Sequence, residues 1–568
     1  MKTTKNIARL AVTAGLTAAL SFGGVMAPVT MAFAEGTTAA ADGSVNIANV
    51  QNNHTEFDGY QIFKADVATV KGKTVVSNIT WANGDVKNAV EGVIKKVEPS
   101  YAGATAQDAA DWIANKVTGT NDTYRVGPDD IAYKIAAAVD DLTDKKTTTS
   151  GVASGLEHGY WLFVTKADTI GEGEAGTSPI FTVVGDTPVN VTEKTGIPTV
   201  EKKIVSDADR MEHDAADSQI GQNVTYNLYG TVAENFDKYD KYFYQFSDQI
   251  SKGLALQDSA QVYLYESKEA AQRDLKRESP TRNITSSFER ETGAADENGS
   301  KTTTWTCDNL KNISEITNNS CIVVSYTARI NKDAIVAGTN GNDNTVILKY
   351  SNNPMNKDSK GQTPPDTVKD YTYGLRINKV DLGTEKALDG AMFTIQATGA
   401  DDDASKNLYV QADGSLGSEA HEFKTENGGI IKIAGLDAGI YTVTETSAPT
   451  GYATVDPFTF EIKPTMTAND LGAGLTELTG VLKTSQDGKV IAGLTDDSAG
   501  DNNLTAKSGS EKDVDGIFNI TVGNTKKINL PLTGLNGVTF TWIAGGAVLC
   551  IGVAHLIRSR KRDESSEE

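Results

Sequence analysis

Cysteine is nearly absent, with three residues in 568. So few cannot staple a long chain in an oxidising medium, and Cys550 lies in a terminal apolar run. Cys307 and Cys321, thirteen residues apart in the gap between them, remain as the pair expected to form a disulfide. Histidine is as scarce: five residues, scattered, with no Cys or His doublet, so no metal site is expected. Asp401-Asp402-Asp403 and Asp513-Val514-Asp515-Gly516 read as solvated turns rather than calcium loops. Positive charge is also short. Lys and Arg number 53 against 75 Asp and Glu, a net charge of −22, which argues against nucleic acid and against an anionic membrane surface. No Ser/His/Asp order or carboxylate pair can be placed in one cleft, so no enzyme and no cofactor are expected. Gly171-Glu172-Gly173-Glu174-Ala175-Gly176 matches a dinucleotide fingerprint in letters only. It opens no helix, its glutamates would repel a pyrophosphate, and it reads as a hairpin loop.

What is present begins with the two ends. Lys2 and Lys5 precede an apolar stretch from Ile7 to about Ala27, and Ala32-Phe33-Ala34 fits a small-x-small cleavage site. Residues 1–34 thus read as a signal peptide. At the other end stands Leu530-Pro531-Leu532-Thr533-Gly534. Val538 to Ile557 then gives 20 residues without an acid, Lys or Arg, followed by Arg558-Ser559-Arg560-Lys561-Arg562. A helix of that length spans about 30 Å, enough to cross a bilayer, and the basic cluster sets the tail inside. Loop, span and basic tail in this order resemble the LPxTG sorting signal of Gram-positive surface proteins. In that family a sortase cysteine attacks the Thr–Gly bond and passes the Thr carbonyl to an amine. The resemblance implies recognition through Leu530 and Pro531, cleavage between Thr533 and Gly534, and attachment to peptidoglycan.

Between the ends, length and strand-like runs predict a mainly β chain of three tandem Ig-like sandwiches. The first is placed at 35–195, with one or two short helices inserted around Ala109–Ile113 and Ile131–Ile135. The second is placed at 196–354, a polar linker at 355–370, the third at 371–528, and the sorting signal at 529–568.

The anomaly lies in strand parity. Side chains of one face recur every second residue, so Lys202 points inward with Val200 and Ile204, and Lys379 with Leu375 and Ile377. Glu445 turns inward with Tyr441 and Val443, and Asn352 with Val346, Leu348 and Tyr350. Lysine is almost never buried unpaired. Burial lowers an amine's pKa and raises a carboxyl's, so both can sit neutral. A free amine held against an Asn carboxamide, with an acid to shuttle the proton, can exchange amides and expel ammonia. The product is a Lys–Asn isopeptide bond.

Two motifs sharpen this. Tyr441-x-Val443-x-Glu445-Thr446-x-Ala448-Pro449-x-Gly451-Tyr452 resembles the E-box of Cna B-type domains, with Val where Leu is usual. Tyr350-Ser351-Asn352-Asn353-Pro354 resembles the end of the fimbrial isopeptide domain of shaft pilins. Carried over by position, the resemblance implies a Lys379–Asn524 bond with Glu445 as catalyst. It also implies a Lys202–Asn352 bond with Asp248 as catalyst. The loops closed would span 145 and 150 residues. Lys203 and Asn353 are the alternatives one place off; parity favours Lys202 and Asn352. The first domain carries Thr165 where the acid should stand, with Lys64 as its nearest amine, and no crosslink is expected there.

Shaft pilins also carry an acceptor lysine in a motif resembling W-x-x-x-V-x-V-Y-P-K. Val189-Asn190-Val191-Thr192-Glu193-Lys194 keeps both valines and the lysine, with Gly185 in the place of Trp, and Lys194 is the expected acceptor. The family reading is the backbone subunit of a sortase-assembled pilus, secreted and wall-anchored after a transient membrane stage. Its implied partners are copies of itself, pilin-specific and housekeeping sortases, minor pilins and peptidoglycan. The alternative is a wall-anchored adhesin or minor pilin that binds host glycans or proteins.

Overall fold

Apolar residues at every second position generate strands such as Lys301–Cys307 and Asn342–Ser351 that bury one face, while Gly159–Thr165 is buried on both. The structure, a computed structural model, describes residues 42–49, 53–70, 73–116, 126–193, 195–336, 341–400, 405–467, 474–483, 490–491, 503–507 and 517–527. The signal segment, Lys194, both acidic turns considered for calcium, and everything from 528 onward lie outside the described residues. The sorting loop Leu530–Gly534 and the candidate span 538–557 are therefore also outside. Among the described residues no helix is long and apolar enough to cross a membrane.

The first unit sets a three-stranded sheet, Val152–Leu156, Gly43–Ala48 and Val189–Thr192, beside a five-stranded one centred on Phe57–Val70 and Gly159–Thr165. Among the described residues three helices are inserted, one more than the upper expectation: Gly84–Val97, Ala106–Lys116 and Ile131–Val139. The additional one, Gly84–Val97, has clear local causes. Asn83 caps it by accepting from the Val86 amide at 2.9 Å, Asp85 sits in its first turn, and Lys95 and Lys96 in its last. Val86, Val90, Val93 and Ile94 form its buried stripe. The loop 171–176 joins the antiparallel strands Gly159–Thr165 and Ile180–Val184.

In the second unit, two sheets face each other across one core. Val200–Val205, Asn223–Thr231, Cys321–Ile330 and Gln261–Tyr265 are consecutive neighbours in the first sheet. Asp366–Tyr371, Asn342–Ser351, Tyr244–Ile250 and Lys301–Cys307 are consecutive neighbours in the second. Tyr226, Leu228 and Tyr326 of one sheet pack against Phe246, Trp305 and Leu348 of the other.

Two expectations are corrected here. Residues 355–370 are not a linker, because Lys360–Gln362 and Asp366–Tyr371 both pair with Asn342–Ser351. The run looked polar because Asp366, Thr367 and Lys369 face outward while Val368 and Asp370 are buried. Cys307 and Cys321 are free buried thiols. Cys307 faces the core between the sheets, whereas Cys321 belongs to the opposite face of its sheet with Tyr229, Tyr265 and Ala271. Burial pushes the Cys321 thiol up to about 12, which leaves it unreactive.

In the third unit, Tyr373–Asp381 runs parallel to Ile517–Asn524 and antiparallel to Ile430–Leu436. The opposing sheet contains Met392–Ala400, Gly439–Ser447, Phe458–Thr467 and Gly474–Lys483. Ala215–Asp217 pairs with Asp366–Tyr371, and the chain beyond it docks onto the third unit. The Ile220 amide donates to the Gly435 carbonyl at 2.9 Å, and Asp217 Oδ2 accepts from the Ala438 amide at 3.1 Å. Gly435 has φ +89°, and a Cβ there would lie 2.2 Å from Ile220 Cδ1, so this contact requires glycine.

Asp370 lies at this joint, fully buried, accepting from Tyr226 Oη at 2.9 Å. Burial pushes its carboxyl up to about 8, against the hydrogen bonds from Ser218 and Tyr226, with Asp217 and Asp207 adding to the rise. The folded pKa is above the unfolded one. The stabilising contribution is therefore complete below about pH 4 and lost as pH rises through about 8. Asp370→Asn should remove this loss and raise the melting point of the second unit by several degrees at pH 8, with little change at pH 4. Identical pH profiles for variant and parent in a melting series would refute the assignment.

Candidate functional site: two buried triads of amine, acid and carboxamide

Lys379 comes from the first strand of the third unit and Asn524 from the last described one. Their strands are adjacent and parallel, with Lys379 level with Val522 and Asp381 with Asn524. Glu445 reaches across from the opposing sheet. Lys379 Nζ donates to Asn524 Oδ1 and lies 3.1 Å from Glu445 Oε1, and Asn524 Nδ2 donates to the same Oε1 at 2.9 Å. The Val455 amide fixes the other carboxyl oxygen at 2.8 Å. Both Lys379 and Asn524 have zero exposure. Burial pulls the Lys379 amine down to about 8, with Glu445 opposing the fall. Near neutral pH a useful fraction is therefore the free base, the only form of an amine that can attack a carbonyl. The three residues named by parity and motif are brought together.

The second triad bridges the two sheets of its sandwich. Lys202, also at zero exposure, points inward from Val200–Val205 and donates to Asp248 Oδ1. Burial pulls its amine down to about 8, opposed by Asp248. The carboxamide it meets is Asn344, whose Oδ1 accepts from Lys202 Nζ. Asn352 is elsewhere. Its Oδ1 accepts from Ser359 Oγ at 2.7 Å, and its carbonyl accepts from the Gly176 amide at 2.6 Å, which ties the second unit to the 171–176 loop of the first.

Register explains this correction. Asn344 lies within Asn342–Ser351 and shares the inward parity of Val346 and Leu348, whereas Asn352 is one residue past the end of that strand. Asp248 is level with Val346. Asn344 is two residues from that point, about 7 Å along the strand, whereas Asn352 is six away, about 20 Å. A register estimate for the Asp248 strand was the missing signal. Of the alternatives one place off, Lys203 faces outward to Asp214 and Glu201 at 2.5 and 2.8 Å. Asn353 caps the Met355 amide at 2.9 Å.

In the first unit, Lys64 pairs with Glu157 at the surface at 2.8 Å. Thr165 is buried and accepts from the Thr177 amide at 3.0 Å. No amine–acid–carboxamide group is found there among the described residues. Lys194 is outside them, and the described residues before it end at Glu193. Val189–Thr192 is an edge strand parallel to Gly43–Ala48. Glu193 is buried and accepts from Asn53 Nδ2 at 2.6 Å. One grouping of metal-ligand type, not anticipated from spacing, is formed by His158 with Asp42 and Asp186, at 2.9 and 3.3 Å. Both aspartates are exposed and each pairs with the imidazole.

Parallel first and last strands, joined by a buried Lys–Asn contact under a Glu from the facing sheet, define the third unit. Residues 374–472 match the SpaA family model, described as a prealbumin-like fold domain. The SpaA-like region thus contains Lys379 and Glu445, while Asn524 lies beyond its matched end. A comparison with curated protein sequences finds no match. Among solved structures, the T6 backbone pilin of serotype M6 Streptococcus pyogenes is 16% identical, with a TM-score of 0.48, covering 86% of this chain and 100% of that one. The full-length major pilin SpaD of Corynebacterium diphtheriae is 14% identical, with a TM-score of 0.43, covering 86% and 98%. The Corynebacterium diphtheriae major pilin SpaA, described as pointing to a modular pilus assembly stabilizing isopeptide bonds, is 13% identical. Its TM-score is 0.42, covering 85% of this chain and 100% of that one.

Proposed function

We propose that this chain is the structural backbone subunit of a covalently polymerised surface pilus. Two self-formed isopeptide bonds, Lys202–Asn344 and Lys379–Asn524, would lock it, with Asp248 and Glu445 as proton shuttles. The observation that carries the reading is the pair of buried triads. Each unpaired component would be very costly in a core, and both triads set an amine of lowered pKa against a carboxamide under an acid. Neither opens to a substrate, so the chemistry available is single-turnover and internal. The bonds would close loops of 142 and 145 residues. Each would tie the strand that opens its unit to one near its end, so that tension passes through covalent links.

Polymerisation would join Thr533 of one subunit to Lys194 of the next, with sortases as catalysts, and a final transfer to peptidoglycan would anchor the fibre. Lys194 suits this task because it follows an edge strand, between the first and second units. Cell-wall extracts boiled in SDS and blotted for the chain should show a ladder of high-mass species. Lys194→Ala should collapse it to monomer. A single band from the parent chain would refute the polymer, and a ladder surviving Lys194→Ala would move the acceptor elsewhere.

A further inference from the structure

The two triads solve the same proton-transfer problem with different reach. In the third unit a single oxygen, Glu445 Oε1, lies near both nitrogens that must exchange a proton, at 3.1 Å from Lys379 and 2.9 Å from Asn524 Nδ2. In the second unit the acid is Asp248, one methylene shorter. Its side-chain bonds go to Lys202 Nζ and to the hydroxyl of Tyr326, the latter at 2.6 Å. Asn344 Nδ2, the nitrogen that must leave, donates instead to Tyr326 Oη at 2.8 Å, and Lys202 Nζ donates to it at 3.1 Å. One phenolic oxygen therefore touches all three members of the triad.

The ring is held in place for this. It stacks on Tyr226 and on Trp305, each with a centroid separation of 5.5 Å and interplanar angles of 20° and 23°. Tyr326 is 1% exposed, so its partners are these side chains and not bulk water. Turning the O–H from Asp248 to Asn344 needs only rotation about the phenolic C–O bond, with no movement of the ring.

We infer that Tyr326 is a catalytic residue of the second site, whose hydroxyl passes a proton from Asp248 to Asn344 Nδ2. The inference rests on the proposal that Lys202 and Asn344 couple. The step balances. The Lys202 lone pair forms the Nζ–Cγ bond while the carbonyl pair moves onto Oδ1. Protonated Asp248 gives its proton to Tyr326 Oη, and Tyr326 gives its own to Nδ2. The carbonyl re-forms, the Cγ–Nδ2 bond breaks, and Nδ2 departs as ammonia with its pair. Asp248 Oδ1 recovers a proton from Nζ. Acid and phenol end as they began, with one amide made, one broken and one ammonia released. Burial holds the phenol's pKa well above its usual value, which suits a neutral relay rather than a phenolate base.

The test uses Tyr326→Phe in the full-length chain, made by cell-free translation, chased over time and digested. Mass spectrometry follows the Lys202–Asn344 and Lys379–Asn524 crosslinked peptides in the same molecules. The variant keeps the stacked ring and removes one oxygen. Formation of Lys202–Asn344 should slow on the order of 100-fold, with Lys379–Asn524 unchanged. Adding Asp248→Glu, whose longer arm reaches as Glu445 does, should recover at least about tenfold. Parental speed in Tyr326→Phe overturns the inference. Slowing with protease sensitivity of the second unit, and no recovery in the double variant, assigns Tyr326 to packing and also overturns it. Absence of Lys202–Asn344 peptide from the parent chain is a separate result, and it removes the underlying coupling instead.

Discussion

The chain from Glu35 to Thr533 will weigh about 34 Da less than its sequence requires, because each isopeptide bond expels one ammonia of about 17 Da. Single substitutions apportion the deficit. Glu445→Ala and Asp248→Ala should each restore about 17 Da, and together the whole. The decisive comparison is between two asparagines. Asn344→Ala should halve the deficit beyond the substitution itself, whereas Asn352→Ala should leave both losses in place. Asn344 is beside Lys202 Nζ, and Asn352 is engaged by Ser359 and Gly176. A halved deficit in Asn352→Ala, with a full one in Asn344→Ala, would refute the site as described. A parent chain at its unmodified mass would remove both bonds.

The second large effect is on stability. Closing loops of 142 and 145 residues restricts the unfolded chain by about 5 kcal/mol each, by analogy with disulfide closure. That rivals the whole stability of an ordinary domain, 5–15 kcal/mol. Glu445→Gln removes the shuttle with little change of shape and leaves Lys379 as a buried free amine. The third unit of this variant should melt tens of degrees below the parent and be digested many times faster by protease, while the second unit keeps its transition. The kinetic gap should exceed the equilibrium one, because a chain closed through its core cannot open fully for cleavage. Parental melting in a variant shown by mass to lack the bond would mean that the crosslink is incidental to stability.

Much of the site could be read from alternation together with the motif resemblance. Lys202, Lys379, Glu445 and Asn524 each fall on the apolar face of a strand, and all four are buried. A period of two assigns a face but no position along it, so parity together with the shaft-pilin resemblance points to Asn352, while the carboxamide beside Lys202 is Asn344. Tyr326 was invisible for a related reason. An inward tyrosine among Val324 and Ala328 reads as core, and only the packing of the two sheets brings its hydroxyl to Lys202. The Cys307–Cys321 disulfide failed on faces: Cys307 points into the core from one sheet, and Cys321 points away from that core on the other. The supposed linker failed on composition, since a strand with one polar face looks like a loop when its neighbour is unknown.

Local chemistry along the chain thus determined the mainly β class and the inward faces of Lys202, Lys379 and Glu445. Each of these depends on a residue and its near neighbours. Tertiary structure alone decided which carboxamide meets Lys202, that Tyr326 completes its site, and that 360–371 belongs to the second sandwich. Those outcomes depend on strand register and on the packing of one sheet against another, which link residues as close in the chain as Ser351 and Lys360 and as distant as Lys202 and Asn344.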